Sequence, residues 1–122
     1  MSTRGDICVK VQEKDFNRIS NILDREISAD LPYIYIYNHF DSYVKGLGEK
    51  LKRDYNDYES ALKLVLEGDC SYPGSPYSLY ETYGYNKPKA VSTKEEALKE
   101  EYLYVFENGV WNGYDDNMNK VM

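Results

Sequence analysis

The sequence predicts one α+β domain spanning residues 1–122: an antiparallel sheet of about four strands, helices packed on one face, and a C-terminal β-hairpin. Three observations carry that expectation. Apolar and polar residues alternate near both ends of the chain, the period of strands with one buried face. Between them, apolar residues recur at helical spacing, the mark of helices with one face in a core. The turn signal Glu107-Asn108-Gly109 divides the last apolar stretch into two arms. A chain of 122 residues buries roughly two-thirds of its unfolded surface, so the fold needs neither metal nor disulfide.

In chain order, Ile7, Val9 and Val11 alternate with Cys8, Lys10 and Gln12 and form the first strand. Phe16, Ile19, Ile22, Leu23 and Ile27 follow at helical spacing, with Asp15 placed as N-cap. Pro32 stops that helix. The second strand, Tyr33–Tyr37, turns Ile34 and Ile36 to the core, and Tyr33, Tyr35 and Tyr37 to a second layer or solvent. Tyr43, Leu47, Leu51 and Tyr55 mark one helix face, with Gly46 and Gly48 letting that helix approach the sheet. Asp57 caps another helix through Tyr58, Ala61, Leu62, Val65 and Leu66, and Gly68 stands where a terminating glycine belongs. Residues 71–90 read as a long loop with a short strand near Leu79–Tyr83. Ser92 or Thr93 opens a short helix, with Glu95 or Glu96 at the capping-box position. Tyr102–Phe106 and Val110–Tyr114 form the hairpin, and the tail from Asp115 frays.

Composition narrows the function. Fourteen tyrosines are too many phenols for one small core to bury with partners, so some rings lie partly exposed. Cys8 and Cys70 are too few for a disulfide framework and read as reduced core thiols, with a Cys8–Cys70 bridge or a reactive thiol as the alternatives. With no apolar leader and no long apolar run, a cytoplasmic protein is expected, with no membrane partner. The net charge is −6, and it is localised: Glu95, Glu96, Glu100, Glu101, Glu107, Asp115 and Asp116 share their window with Lys99 alone, while the remaining acids and bases balance. That balance argues against direct nucleic-acid binding and against anionic membranes.

The helix dipole favours Glu95 and Glu96 in a first turn. Glu100 and Glu101 lie at or past the helix end, where the dipole disfavours acids by about 0.3–1 kcal/mol, so local structure does not explain them. On one helix, Glu96 and Glu100 stand about 6 Å apart, a spacing that imitates successive phosphates to a basic groove. A solvated acidic face is the plain alternative. Tyr77, Tyr80, Tyr83 and Tyr85, with Tyr72, either pin the long loop or serve as contact residues, tyrosine being enriched at interface hot spots.

The only histidine, His39, precedes Asp41 and Tyr43 at the end of the tyrosine strand, a possible polar cluster. A carboxylate beside an imidazole orients a general base. The residues lack a nucleophile elbow, and the structural alternative has Asp41 capping the next helix while His39 bonds turn backbone. No metal-ligand spacing is present, and Gly46-Leu47-Gly48 lacks the third glycine of a dinucleotide loop. No catalytic residue, metal or cofactor is assigned.

Several segments, in order, share a pattern: Thr3-Arg4-Gly5-Asp6-Ile7-Cys8-Val9, His39-Phe40-Asp41-Ser42-Tyr43-Val44, Gly48, Gly68-Asp69-Cys70-Ser71, and Tyr102-Leu103-Tyr104-Val105-Phe106 followed by Gly109-Val110-Trp111. In these the chain resembles small phage and prophage proteins built on Thr-Arg-x-x-Ile-x-Val, His-Trp-Asp-Gly-Tyr-Pro, Gly-Asp-Ile-Ser and a late Tyr-x-Tyr-x-Phe…Gly-x-Trp hairpin. Phe40, Ser42 and Val44 depart from the pattern, and residues 13–31 read as an insertion. The resemblance implies a phage or mobile-element origin and carries no catalytic residue with it.

Origin and charge together lead to the expectation of an anti-CRISPR-like inhibitor of host defence. It would set an acidic, tyrosine-rich surface (Glu95, Glu96, Glu100, Glu101, Glu107, Tyr77, Tyr80, Tyr83, Tyr85) into a basic nucleic-acid-binding groove of a host effector, as a DNA mimic in the host cytoplasm. The alternatives are a small enzyme acting on a nucleotide or nucleic acid through His39 and Asp41, and a self-associating structural protein using the Tyr33, Tyr35 and Tyr37 face.

Overall fold

The computed structural model describes residues 3–75 and 87–122. The expected strand near Leu79–Tyr83, and Tyr77, Tyr80, Tyr83 and Tyr85, lie outside those residues. Among the described residues the fold is α+β, with five strands where about four were expected. These are β1 (Gly5–Lys10), β2 (Tyr33–Asn38), β3 (Lys89–Val91), β4 (Tyr102–Glu107) and β5 (Val110–Asp115), in the spatial order β3-β2-β1-β4-β5. The helices are α1 (Phe16–Leu23), α2 (Glu49–Asp54), entered through a π-helical turn at Val44–Gly48, and α3 (Tyr58–Leu66).

The sheet is mixed rather than antiparallel. β1 pairs antiparallel with β2, and β2 with β3, but β1 pairs in parallel with β4, Asp6 lying opposite Leu103 and Val9 opposite Phe106. β3, antiparallel to β2, therefore points the same way as β1 and β4, so the chain must return along the sheet before entering β4. It does so in residues 92–101, a strap that crosses the tyrosine face of the sheet. The hairpin β4–β5 matches the sequence reading: Asn108 and Gly109 take φ of 54° and 81°, as the favoured two-residue hairpin turn requires.

Alternation divides the residues as expected. Ile7, Val9, Ile34, Ile36, Tyr104, Phe106 and Trp111 face the helices, where Ile19, Leu23, Leu47, Leu51, Leu62 and Val65 close the main core. Each fully buried aliphatic side chain there contributes about 1.5–3 kcal/mol. The opposite face carries a smaller cluster of Cys8, Tyr35, Leu103 and Val105, closed by Ala97 of the strap. Asp57 caps α3, its carboxylate accepting from the Ser60 amide at 2.8 Å, and Gly68 follows α3 at a φ of 88°. Gly48 permits close approach as expected, since a Cβ there would stand 3.1 Å from the Tyr104 ring.

Four local expectations are corrected. Asp15 occupies the N-cap position of α1 without capping it; its carboxylate is taken by the Tyr58 hydroxyl at 2.8 Å and by Arg18. Gly46 approaches its own turn, not the sheet: a Cβ would lie 2.5 Å from the Asp41 carbonyl. The helix after Thr93 is a 3-10 turn, Lys94–Ala97, so Glu96 and Glu100 do not share a helix. The tail does not fray. The Gly113 amide donates to the Met122 carbonyl at 3.0 Å, the Val121 amide to the Gly113 carbonyl at 2.8 Å, and Met122 packs against the main core. Among the described residues no helix is long and apolar enough to cross a membrane.

Candidate functional site

The strap brings the sequence-predicted acids onto the second face of the sheet, and both its ends are fastened. At one end Lys94 donates to Glu107 Oε1 at 2.6 Å, and the Tyr33 hydroxyl donates to Oε2 at 2.8 Å. These two donors and the Lys94 charge hold the Glu107 carboxyl below its usual range against the opposing effect of burial. At the other end Asp6 Oδ2 accepts the backbone amides of Lys99 at 2.8 Å and Glu100 at 2.9 Å. Burial pushes the Asp6 carboxyl up to about 6, although the two amides pull the other way. Ala97, fully buried, pins the middle of the strap.

This geometry sorts the acids. Glu107 is not a surface contact: Lys94, one residue outside the acidic window, neutralises it. Glu96 accepts the Ser92 hydroxyl at 2.8 Å and the Thr93 hydroxyl at 3.3 Å and stays exposed; the expected capping box does not form, since Thr93 makes no side-chain cap bond. Glu95 and Glu101 are exposed and Glu100 half-buried; none of these four strap carboxylates is paired with a basic side chain among the described residues. Asp115 is used locally, accepting the Asn117 and Asn119 amides at 2.9 Å. The strap anchors lie at the levels of Leu103 and Glu107, four residues of β4 apart, or about 13 Å at roughly 3.3 Å per residue. Glu95 therefore stands near one end of the strap, and Glu100 and Glu101 near the other.

The His39 cluster is arranged differently from the sequence reading. His39 Nδ1 lies 2.6 Å from the Tyr37 hydroxyl, and the imidazole meets Phe40 edge-on at 4.5 Å between centroids. No hydrogen bond joins His39 to Asp41 among the described residues. Asp41 does not cap the following turn with its side chain; it sits at a φ of 54°, and its carbonyl accepts the Leu47 amide at 2.8 Å. The turn is shaped by buried groups the sequence reading missed. The Asn38 amide donates to the Phe40 carbonyl and the Ser42 hydroxyl, both at 2.8 Å, and the Tyr104 hydroxyl donates to the Ser42 carbonyl at 2.6 Å. Phe40 and Tyr43 are left 45% and 42% exposed. Cys70 donates to Asn38 Oδ1, and burial pushes its thiol up to about 12, which makes it a poor nucleophile.

The three tyrosines of the second face are engaged within the fold to different degrees. Tyr35 is 7% exposed beneath the strap, Tyr33 is engaged by Glu107, and Tyr37 by His39. A groove of about 1040 Å³ opens where β1 and β4 end, lined by Lys10, Phe16, Tyr33, Tyr58, Lys94 and Glu107 among others. Of the groups lining it, Lys94 is pushed up by its hydrogen bond to Glu107 and Tyr33 by burial, while Lys94 and Tyr33 hold Glu107 below its usual range. Among the described residues no group of three or more potential ligands could hold a metal ion.

Comparison with protein-family models finds no match, and comparisons with curated proteins and with solved structures find none either.

Proposed function

We propose that the protein works by stoichiometric binding rather than catalysis, presenting the strap acids Glu95, Glu96, Glu100 and Glu101 to a basic groove on a partner. One observation carries this reading. Four carboxylates with no ion-pair partner among the described residues sit on a single short segment fastened at both ends to the sheet, so they are offered without the ordering cost that a free acidic loop incurs. The two strap anchors stand about 13 Å apart along β4, a separation of the order of the roughly 12 Å major groove whose flanking phosphates a basic effector would recognise. The resemblance to phage proteins makes a host nucleic-acid-binding defence effector the partner class, and the protein its inhibitor. Tyr77, Tyr80, Tyr83 and Tyr85, which lie outside the described residues, belong to the proposal as further contact residues.

The test is capture of a host CRISPR nuclease complex by the immobilised protein at rising salt, with duplex DNA as competitor. Binding should weaken steeply with salt, compete with DNA, and fall at least tenfold in the double variant Glu100→Lys, Glu101→Lys. Capture that ignores salt, DNA and the double variant sinks the proposal.

A further inference from the structure

We infer that Asp6 and the small cavity it borders form a cation-accepting site, which takes a guanidinium or ammonium side chain from the partner. The inference rests on the proposed function and deepens it by naming the chemistry of the anchor.

Asp6 is 2% exposed, the most buried carboxylate among the described residues. The other buried aspartate, Asp15, has Arg18 and Tyr58, and the largely buried Glu107 has Lys94 and Tyr33. Asp6 has only the two strap amides, both on Oδ2; among the described residues nothing donates to Oδ1 and no ion pair forms on either oxygen. A buried charge is ordinarily paired or coordinates a metal. Here the carboxylate borders a cavity of about 180 Å³, whose walls include Tyr35 and Tyr37. At roughly 30 Å³ per water, that space holds about six waters, or one guanidinium with part of its stem. Tyrosine walls suit such a group, because ring faces attract cations. A metal ion fits less well, since no three-ligand group stands there among the described residues.

The surrounding charges allow this. Asp69, which accepts the Tyr37 amide at 2.9 Å, and Glu100 of the strap add negative potential. Lys89 of β3 and Lys99 of the strap oppose it, as does Arg4 ahead of β1. All three basic residues are exposed, so their heads can turn to water, whereas the Asp6 carboxylate is held in place by the two strap amides. Cys8, the nearest titratable group on β1, is pushed far up by burial and stays neutral.

The probe is N-acetyl-arginine amide, with N-acetyl-citrulline amide as its uncharged isostere, titrated while the Lys99 and Glu100 backbone amide resonances are followed by NMR. At pH 7.5 the arginine probe should shift both resonances saturably and the citrulline probe should not. Affinity should drop about tenfold at pH 5, where one unit below a carboxyl titrating at about 6 leaves roughly a tenth of it ionised, and should be lost in Asp6→Asn. That variant is isosteric, and its circular dichroism and thermal transition report separately that it folds. Equal response to both probes, or undiminished binding in Asp6→Asn, overturns the site. The two proposals fail separately. An effector captured with full salt dependence by wild type and Asp6→Asn alike removes the cation site and leaves the acidic strap. Arginine binding that depends on Asp6, with no effector captured under any condition, leaves the site and removes the inhibitor.

Discussion

Replacing Asp6 by asparagine should stabilise the protein at neutral pH. Asp6 is 2% exposed, and its carboxyl titrates at about 6 in the fold against 3.8 for the free group. The folded state therefore binds that proton more tightly than the unfolded state. Its contribution is most favourable below the unfolded value, declines as pH rises from about 4 to about 6, and is lost above that. The difference corresponds to about 3 kcal/mol, at roughly 1.36 kcal/mol per unit. Asparagine keeps an oxygen for the Lys99 and Glu100 amides and never ionises. Its NH2 group needs a partner in the cavity, which offsets about 1 kcal/mol, so a net gain of about 1–3 kcal/mol at pH 7.5 is expected. At about 4 °C per kcal/mol for a domain of this size, the melting temperature should rise by roughly 4–12 °C. Urea denaturation of both proteins at pH 4.5, 6.0 and 7.5 reads the effect as a difference, which cancels the opposite slopes of Glu107 and Asp15, both held below their usual range. Wild-type and variant curves that stay parallel across that range would refute the reasoning.

Other substitutions probe separate parts of the structure. Tyr104→Phe removes the donor to the buried Ser42 carbonyl and should cost about 1–3 kcal/mol, measured by urea denaturation; an unchanged midpoint would mean that this bond does not hold the turn. Gly48→Ala drives a Cβ to 2.9 Å from Met122 Sδ and 3.1 Å from the Tyr104 ring, for a loss of about 1–3 kcal/mol by overpacking. Gly109→Ala meets no atom within 4 Å but keeps a φ of 81°, so backbone strain alone should cost about 1–2 kcal/mol; calorimetry that ranks it well above Gly48→Ala would contradict the packing argument. Lys94→Met leaves Glu107 with Tyr33 alone and should cost about 1–3 kcal/mol near neutrality. Because Glu107 is held below its usual range, the loss should shrink as pH falls through its folded value, and a denaturation series at pH 3–7 checks that sign.

Legibility was uneven, for identifiable reasons. Asp57 announced its cap and Asn108-Gly109 its turn because both depend on neighbours within four residues. The split of Ile34 and Ile36 from Tyr33 and Tyr35 followed from alternation alone. Asp6 gave no such signal: on the polar side of its strand beside Cys8 and Lys10, it looks solvated until the strap, 93 residues later, closes over it. Glu107 has the pattern of a surface acid because its partner Lys94 lies thirteen residues back and meets it only once the strap is laid on the sheet. The spacing of His39 and Asp41 suggests a pair, whereas the Asn38, Ser42 and Tyr104 bonds set the turn and the imidazole meets Tyr37 instead.

What the sequence determined by itself was the local layer: most of the strands and helices, which face of each is apolar, and where negative charge accumulates. Periodicity, caps and turns act over a few residues, so they are written into neighbours. Only the tertiary structure decided that β1 and β4 run parallel, that a strap must therefore cross the tyrosine face, and which acids that crossing neutralises, buries or leaves exposed. Those outcomes depend on contacts between distant segments, whose pairing no local pattern encodes.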